Sequence, residues 1–325
     1  MGSKHMVGAV VSAWVMVVGC GPSEPEFASS QALESVSAEL SAKNGSNLNG
    51  SNLNGSNLNG SNLNGPLLNR KLVSVSYAGA RREGMSATMD EVWLEGSQLY
   101  ALMGGEELSG TDFQQMRMTG NLDNGATVAL RVDNVFPGYE ADADVWSYRV
   151  SFQDPANGQW YPLCSKPGGG ATNAIALEGR WNYSQGVASG GAKVYDTASF
   201  TFACEGAALA KCVRFGYAPW RSVNGESLAD HHQACTRMVR ADFCGDGTSY
   251  TTDGNWVNLY DSLNVQTDTE SWSKEAAWDT SGAQCFTSQT RATAPIQCAS
   301  GRLVETCGAS FTPGTLIISE TPVTQ

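Results

Sequence analysis

The chain has no apolar run near its start that is long enough to cross a bilayer. Residues 7–19 are apolar or small, but the run has only 13 residues, whereas a membrane-spanning helix needs about 20. Lys4 precedes the run and Cys20 follows it directly. A cationic start, a short apolar stretch and a small-residue cleavage point are the layout of a secretory signal. We therefore expect an exported protein rather than one anchored by this segment as a helix.

The four residues 17–20, Val-Val-Gly-Cys, resemble a lipobox, the cleavage motif of bacterial lipoprotein signals. The resemblance implies that residues 1–19 are removed and that Cys20 carries a lipid. This lipid attaches the protein to the membrane, which is thereby its expected partner. Several acyl chains on one residue anchor a protein firmly, whereas a single chain binds marginally. Gly21 stands where an aspartate would favour the inner membrane, so the outer membrane is expected. The alternative is an ordinary signal cleaved near Ala13 or Gly19, which leaves Cys20 as a free thiol.

Cysteine is absent from residues 21–163, and the remaining cysteines all lie in the C-terminal half of the chain. They are Cys164, Cys204, Cys212, Cys235, Cys244, Cys285, Cys298 and Cys307. An even number in an exported chain predicts four disulfides, although the sequence selects no particular pairing.

Histidine and basic residues are also scarce, which argues against a zinc site and against nucleic acid as a partner. Beyond residue 19 the only histidines are His231 and His232, and no CxxC pair occurs, so the usual zinc spacings are absent and no cofactor or metal is predicted. Removal of residues 1–19 takes away Lys4 and no acid, which leaves 20 − 1 = 19 basic and 32 acidic residues, a net charge of −13. Such a charge disfavours nucleic acid as a partner. With 41% hydrophobic residues the chain can still bury a core.

Two segments precede the expected domain. Residues 20–45 contain Pro, Ser, Ala and Glu and are predicted to form a tether. Residues 46–65 repeat Ser-Asn-Leu-Asn-Gly four times, and weaker spacing continues to residue 70. The repeat resembles the pentapeptide-repeat family, whose members form a right-handed β-helix. Four pentapeptides make one coil in that family, and a solenoid is stable only when several coils stack. The segment is therefore either a flexible linker or an edge coil docked on the following domain.

Residues 71–325 are predicted to form one mainly β domain of the α+β class, with one or two packed helices. Period-two patterns indicate strands near residues 126–135, 146–152, 159–163, 175–183, 199–204, 256–260, 275–279 and 285–290. Helical spacing indicates helices at residues 206–214 and 228–242, the second with Ser227 as its N-cap.

The second helix carries the strongest chemical pattern of the chain. His231 precedes Cys235 by four residues, so both lie on one helix face, as a thiol and its base would require. Asp242 is about 15 Å further along a straight helix and cannot orient either histidine from there. Cys235 is expected to be oxidised, with Cys244 or another cysteine packed against the helix. We therefore expect one histidine to be partly buried beside Cys235 and the other to be solvated.

The run HHQACTRMVRADFCGDG, after KCVRFGYAPW and before EAAWDTSGAQC, resembles the ADYC-domain family of bacterial exported proteins. The name-giving tetrapeptide reads Ala241-Asp242-Phe243-Cys244 here, with Phe243 in place of Tyr. The resemblance covers about residues 174–307, with its N-terminal limit open as far back as Lys71, and implies an architecture and an extracytoplasmic location, not a mechanism. Loss of the tyrosine hydroxyl favours a packing role for this position.

No GxSxG, HExxH or Walker motif occurs. The chain is therefore expected to be an envelope lipoprotein that binds or scaffolds an unknown extracellular or envelope ligand. The alternative is a hydrolase of envelope or prey polymers with His231 or His232 as its base. Several tryptophans either line a sugar-binding face or belong to the core, which is the more usual position; they are Trp181, Trp220, Trp256, Trp272 and Trp278.

Overall fold

The computed structural model describes residues 62–65, 68–165, 170–252, 255–308 and 313–322, together with Gly2, and describes side chains from Arg70 onward. Apart from Gly2, these residues belong to one unit, Leu40–Gln325. Cys20, the predicted tether and repeat residues 46–61 lie outside the described residues. Within the described ranges no helix is long and apolar enough to span a membrane.

Most of the regular structure is β. In chain order the strands are β1 (Asn62–Gly65), β2 (Leu68–Arg82), β3 (Glu91–Glu95), β4 (Gln98–Met103), β5 (Glu106–Ser109), β6 (Met116–Leu122), β7 (Thr127–Phe136), β8 (Ser147–Gln153), β9 (Trp160–Pro162), β10 (Ala174–Glu178), β11 (Arg180–Trp181), β12 (Lys193–Val194), β13 (Ser199–Cys204), β14 (Ser222–Val223), β15 (Glu226–Ser227), β16 (Asn258–Asp261), β17 (Ser273–Asp279), β18 (Gly282–Phe286), β19 (Glu305–Thr306) and β20 (Ile317–Thr321). The α-helices are α1 (Ala208–Arg214) and α2 (Ala229–Val239), and short 3-10 helices cover Gly110–Phe113 and Glu140–Asp142. The expectation of a mainly β, α+β fold is confirmed.

Six strands of the largest sheet close into a ring. Their antiparallel pairing runs β2-β13-β10-β8-β7-β6 and returns from β6 to β2. Side chains alternate along β6, where Met116, Met118 and Leu122 are buried and Arg117 and Thr119 are partly exposed. This period of two is what a strand with one core face requires. The inner face of β6 is therefore apolar and its outer face polar, whereas β10 is buried on both faces because Ile175 and Leu177 pack in a separate apolar cluster outside the ring.

Strand β1 extends this sheet at the N-terminal end of β2. Its residues are the last four of the fourth repeat, and they pair with β2 from Asn62↔Lys71 to Gly65↔Leu68. The final repeat thus forms half of an antiparallel hairpin whose other half enters the ring. The sheet of the domain consequently begins within the repeat sequence.

A second sheet of five strands has the order β16-β20-β17-β18-β19 and packs against helix α2. Helix α1 packs beside α2 and, through Leu209 and Val213, joins an apolar cluster that includes Trp181. The three-stranded meander β3-β4-β5 is tied to the ring by Tyr148, whose hydroxyl accepts a hydrogen bond from the Leu99 amide at 2.9 Å. Both α-helices are thus enclosed by packing on more than one side.

Four disulfides brace this arrangement, in agreement with the number expected. Their Cα–Cα distances are 4.8 to 5.8 Å, within the usual range. The pairs are Cys164–Cys204, Cys212–Cys235, Cys244–Cys298 and Cys285–Cys307. Since disulfides persist in oxidising compartments, they indicate an extracytoplasmic location.

Candidate functional site

Helix α2 carries the predicted site residues, and it lies in the interior of the protein. Every residue from His231 to Val239 is buried. Neighbouring residues on a helix project about 100° apart, so burial of the whole run means that partners cover the helix on all sides. These partners are α1 and strands β17, β18 and β20 of the second sheet. A solvated histidine, as expected from the sequence, would require a helix with one exposed face, whereas the structure buries helix α2 on all sides.

Both histidines are buried, so the expectation that one of them is solvated is wrong. His231 and His232 are each 1% exposed. His231 stacks on Tyr217 with ring centroids 6.1 Å apart, and among the described residues neither of its ring nitrogens has a hydrogen-bond partner. Burial lowers its pKa below the ordinary value. The neutral ring is therefore the form that this position accommodates.

His232 is held by a carbonyl of the neighbouring helix. Its Nε2 lies 3.1 Å from the Leu209 carbonyl oxygen, and its ring is tilted against Trp181 at 6.0 Å. Because a carbonyl can only accept, Nε2 carries the hydrogen. Burial lowers the pKa of His232 to about 4. This histidine is thus a neutral hydrogen-bond donor within the core.

Cys235 is joined to Cys212 of helix α1, with a Cα–Cα distance of 5.8 Å. The sequence left open either Cys244 or another cysteine packed against the helix as the partner of Cys235. The partner is Cys212, which is of the second kind, and Cys244 pairs with Cys298. A disulfide sulfur is not a thiolate and cannot act as a nucleophile. The His231–Cys235 spacing consequently reflects helix packing rather than a catalytic dyad.

The tetrapeptide Ala241-Asp242-Phe243-Cys244 begins directly where helix α2 has ended. The predicted helix over residues 228–242 is too long, because the chain turns left-handed at Ala241, where φ is 49°. The Ala241 amide donates to the Met238 carbonyl and the Asp242 amide to the Arg237 carbonyl, at 2.8 and 2.9 Å. This bond pattern is a Schellman motif. At the other end the N-cap is Leu228, and the Ser227 hydroxyl accepts from the Ala229 amide at 3.2 Å.

Asp242 fixes the turn through an ion pair inside the protein. Its carboxylate accepts from Arg237 Nη1 at 2.5 Å and from the Gly247 and Asp246 amides at 3.0 and 3.2 Å. Asp242 is fully buried and Arg237 is 2% exposed. Arg237 also donates to the Gly190 carbonyl at 2.5 Å. A buried charge of this kind is tolerated only when it is paired and hydrogen-bonded, which is the case here.

Phe243 lies in an aromatic cluster. It is fully buried, and its ring centroid is 5.0 Å from that of Trp278 and 5.4 Å from that of Phe286. Cys244 follows in its disulfide, with Tyr250 OH 3.6 Å from its Sγ. This environment is consistent with the packing role expected for position 243.

A second buried ion pair ties helix α2 to the five-stranded sheet. Glu275 accepts from Arg291 Nη1 at 2.9 Å and from the Ser319 hydroxyl at 2.8 Å. Arg291 also donates to the Met238 carbonyl at the end of α2. Neither Glu275 nor Arg291 belongs to a motif, and single charged residues in a strand or loop give no sequence signal of burial. Sequence reasoning therefore missed this pair.

The tryptophans do not form one face. Trp181 and Trp278 are fully buried, whereas Trp256 is 52% exposed. Trp220 donates from Nε1 to Asp144 at 2.6 Å, and Arg221 holds the same carboxylate. Hydrogen bonding from Arg221 is the main reason that the pKa of Asp144 falls to about 2. Trp181 and Trp278 thus belong to the core, as the more usual interpretation expects.

A β-rich extracytoplasmic domain thus emerges, with a disulfide-linked helix pair and an ion-paired turn at its centre. The family model of the ADYC domain matches residues 110–292, which include both helices, the turn and the Glu275–Arg291 pair. The chain belongs to the ADYC domain family. No curated protein and no solved structure matches it.

Proposed function

We propose that this chain is a lipid-anchored cell-envelope protein whose ADYC domain binds or scaffolds an extracytoplasmic ligand without converting it. One observation carries the proposal: the residues that resemble catalytic groups are buried in the core. His231 and His232 are each 1% exposed and Cys235 is in a disulfide. A base must come within hydrogen-bond reach of the proton that it removes. Because the buried histidines are out of reach of a ligand, we place ligand binding on the outer surface of the domain.

The anchor is proposed from the sequence. The lipobox-like residues 17–20 support acylation of Cys20, the four disulfides support export, and Gly21 supports the outer membrane. Labelled palmitate should enter the wild-type protein, which should sediment with outer-membrane vesicles. The Cys20→Ser variant should remain unlabelled and stay in the soluble fraction. A Cys20→Ser protein that still sediments with membranes would contradict the anchor.

The binding role is tested with substitutions that remove the imidazoles while retaining the packing. His231→Phe keeps a planar ring against Tyr217, and His232→Gln keeps an amide that can donate to the Leu209 carbonyl. We expect the double variant to keep the thermal midpoint within a few degrees and to crosslink the same envelope partners on living cells. A hydrolytic activity present in the wild type and lost in this folded variant would instead establish the hydrolase alternative.

A further inference from the structure

Three arginines lie side by side on the outer face of the ring. Arg81 of β2 is opposite Arg117 of β6, and Arg117 is opposite Arg131 of β7. Residues in direct cross-strand register have Cβ atoms about 5 Å apart, and like charges placed in this way are unfavourable. The sheet therefore needs counter-charges at this row.

Two of the three arginines have their counter-charge within the protein. Glu83 accepts two hydrogen bonds from Arg117, and this contact lowers the pKa of the Glu83 carboxyl. Asp133 accepts from Arg131 Nε at 2.7 Å. The guanidinium of Arg81, by contrast, forms no hydrogen bond or ion pair with any residue that the structure describes, although its charge contributes to the lowered pKa of the Glu83 carboxyl. Three arginines thus share two carboxylates, so the row has an excess of one positive charge.

Arg81 also lines a cavity large enough for a small anionic group. The cavity has a volume of about 190 Å³ and is lined by Arg81, Arg117, Thr119, Thr127 and Ala129 together with two apolar residues. Its lining thus includes two arginines and two threonines, and threonine hydroxyl groups can both donate and accept. Next to it, the guanidinium carbons of Arg117 and Arg131 lie 5.1 and 4.5 Å from the ring centroid of Trp160.

We propose that this cavity binds the carboxylate of an acidic sugar unit in an envelope or extracellular polysaccharide. The proposal rests on the binding function proposed above and gives it a ligand class. One carboxylate balances the excess positive charge of the row, and its two oxygens match the planar guanidinium fork of Arg81. In a uronic acid, the sugar ring that bears the carboxylate also carries hydroxyl groups, which can pair with Thr119 and Thr127. An aspartate or glutamate side chain has only methylene groups at that position.

The acidic net charge of the chain does not prevent this binding. The formal charge is −12, but charges further away than the Debye length of about 8 Å at physiological ionic strength are largely screened. The partly buried arginines at the cavity are screened less and dominate at contact distance. Binding should therefore weaken as salt is added.

The decisive experiment is calorimetric titration of the full exported protein with a trimer of galacturonic acid. Arg81→Gln removes the excess charge of the row, and Ala129→Leu fills the cavity from the outer face of β7. Arg70→Gln is the matched control, because it makes the same change at an exposed position of the same strand. We expect each cavity variant to weaken binding about tenfold or more, while Arg70→Gln binds as the wild type does. A neutral galactose trimer should not bind.

Thermal unfolding separates a binding role of Arg81 from a structural one. Since Arg81→Gln removes a like charge from the row, its unfolding midpoint should equal or exceed that of the wild type. A lowered midpoint together with unchanged affinity would overturn the proposal. Preferential binding of glycerol phosphate or of a blocked Gly-Asp-Gly peptide would overturn the sugar carboxylate as the ligand. If Arg81→Gln crosslinks the same polysaccharide partner as the wild type, the cavity proposal fails while the binding function stands.

Discussion

His232 should make the folded protein unusually sensitive to mild acid. Burial sets its pKa at about 4, against 6.5 for an unperturbed histidine. Between these values the unfolded chain binds a proton that the folded protein does not, so stability falls as the pH falls. A difference of about 2.5 units at ~1.36 kcal/mol per unit corresponds to about 3 kcal/mol. The loss begins below pH 6.5 and is complete near the folded-state pKa of about 4.

The measurement is urea unfolding, with disulfides intact, at a series of pH values from 7 to 4. His232→Gln is the comparison, because its amide can donate to the Leu209 carbonyl but does not titrate. Carboxylates and His231 contribute similarly to both proteins, so the difference between the two curves isolates His232. We expect the wild type to lose about 3 kcal/mol more than the variant over this interval. Identical pH dependence of the two proteins would show that His232 is accessible to protons, which would refute the reasoning.

Three further substitutions test the interior around helix α2. Asp242→Asn leaves Arg237 buried without its counter-charge and should cost about 3–5 kcal/mol in urea unfolding; a loss below about 1 kcal/mol would mean that water reaches the pair. Phe243→Ala removes a ring from the aromatic cluster and should cost about 3–5 kcal/mol, with a weaker near-ultraviolet circular dichroism signal; an unchanged signal would contradict the packing role. Replacing Cys212 and Cys235 together by Ala should cost about 3 kcal/mol and lower the thermal midpoint, whereas an unchanged midpoint would mean that the link constrains little.

The parts of this fold that the sequence predicts are those determined locally. Alternating residues at 146–152 and 159–163 with a turn between them predict a hairpin, and β8 and β9 form it. The even number of cysteines beyond residue 163 predicts four disulfides. Which cysteines pair depends on how distant segments pack, and no local pattern encodes it. Cys235 accordingly pairs with Cys212, one of the partners that the sequence left open.

The errors at helix α2 have the same physical origin. Its polar residues suggest a solvated side, but two ion pairs and a disulfide offset the burial of that side, so both histidines become buried. The end of the helix was misplaced because left-handed turns usually contain glycine, and Ala241 gives no such signal. The arginine row was missed because it exists only in the register of β2, β6 and β7. Cross-strand register depends on tertiary packing rather than on any one strand.

The residues of the family motif and the residues of the arginine row lie in different parts of the chain. The motif residues of the ADYC domain lie within residues 110–292 that the family model matches, and they hold a helix end, a buried ion pair and a disulfide whose second cysteine, Cys298, lies just beyond the match. Arg81 and Glu83, which determine the charge balance of the arginine row, lie on or beside β2, before that match begins. A change on β2 can therefore alter the surface while leaving the motif turn intact. We accordingly expect the ligand preference of this chain to depend on β2 and on the row that it completes, rather than on the tetrapeptide that names the family.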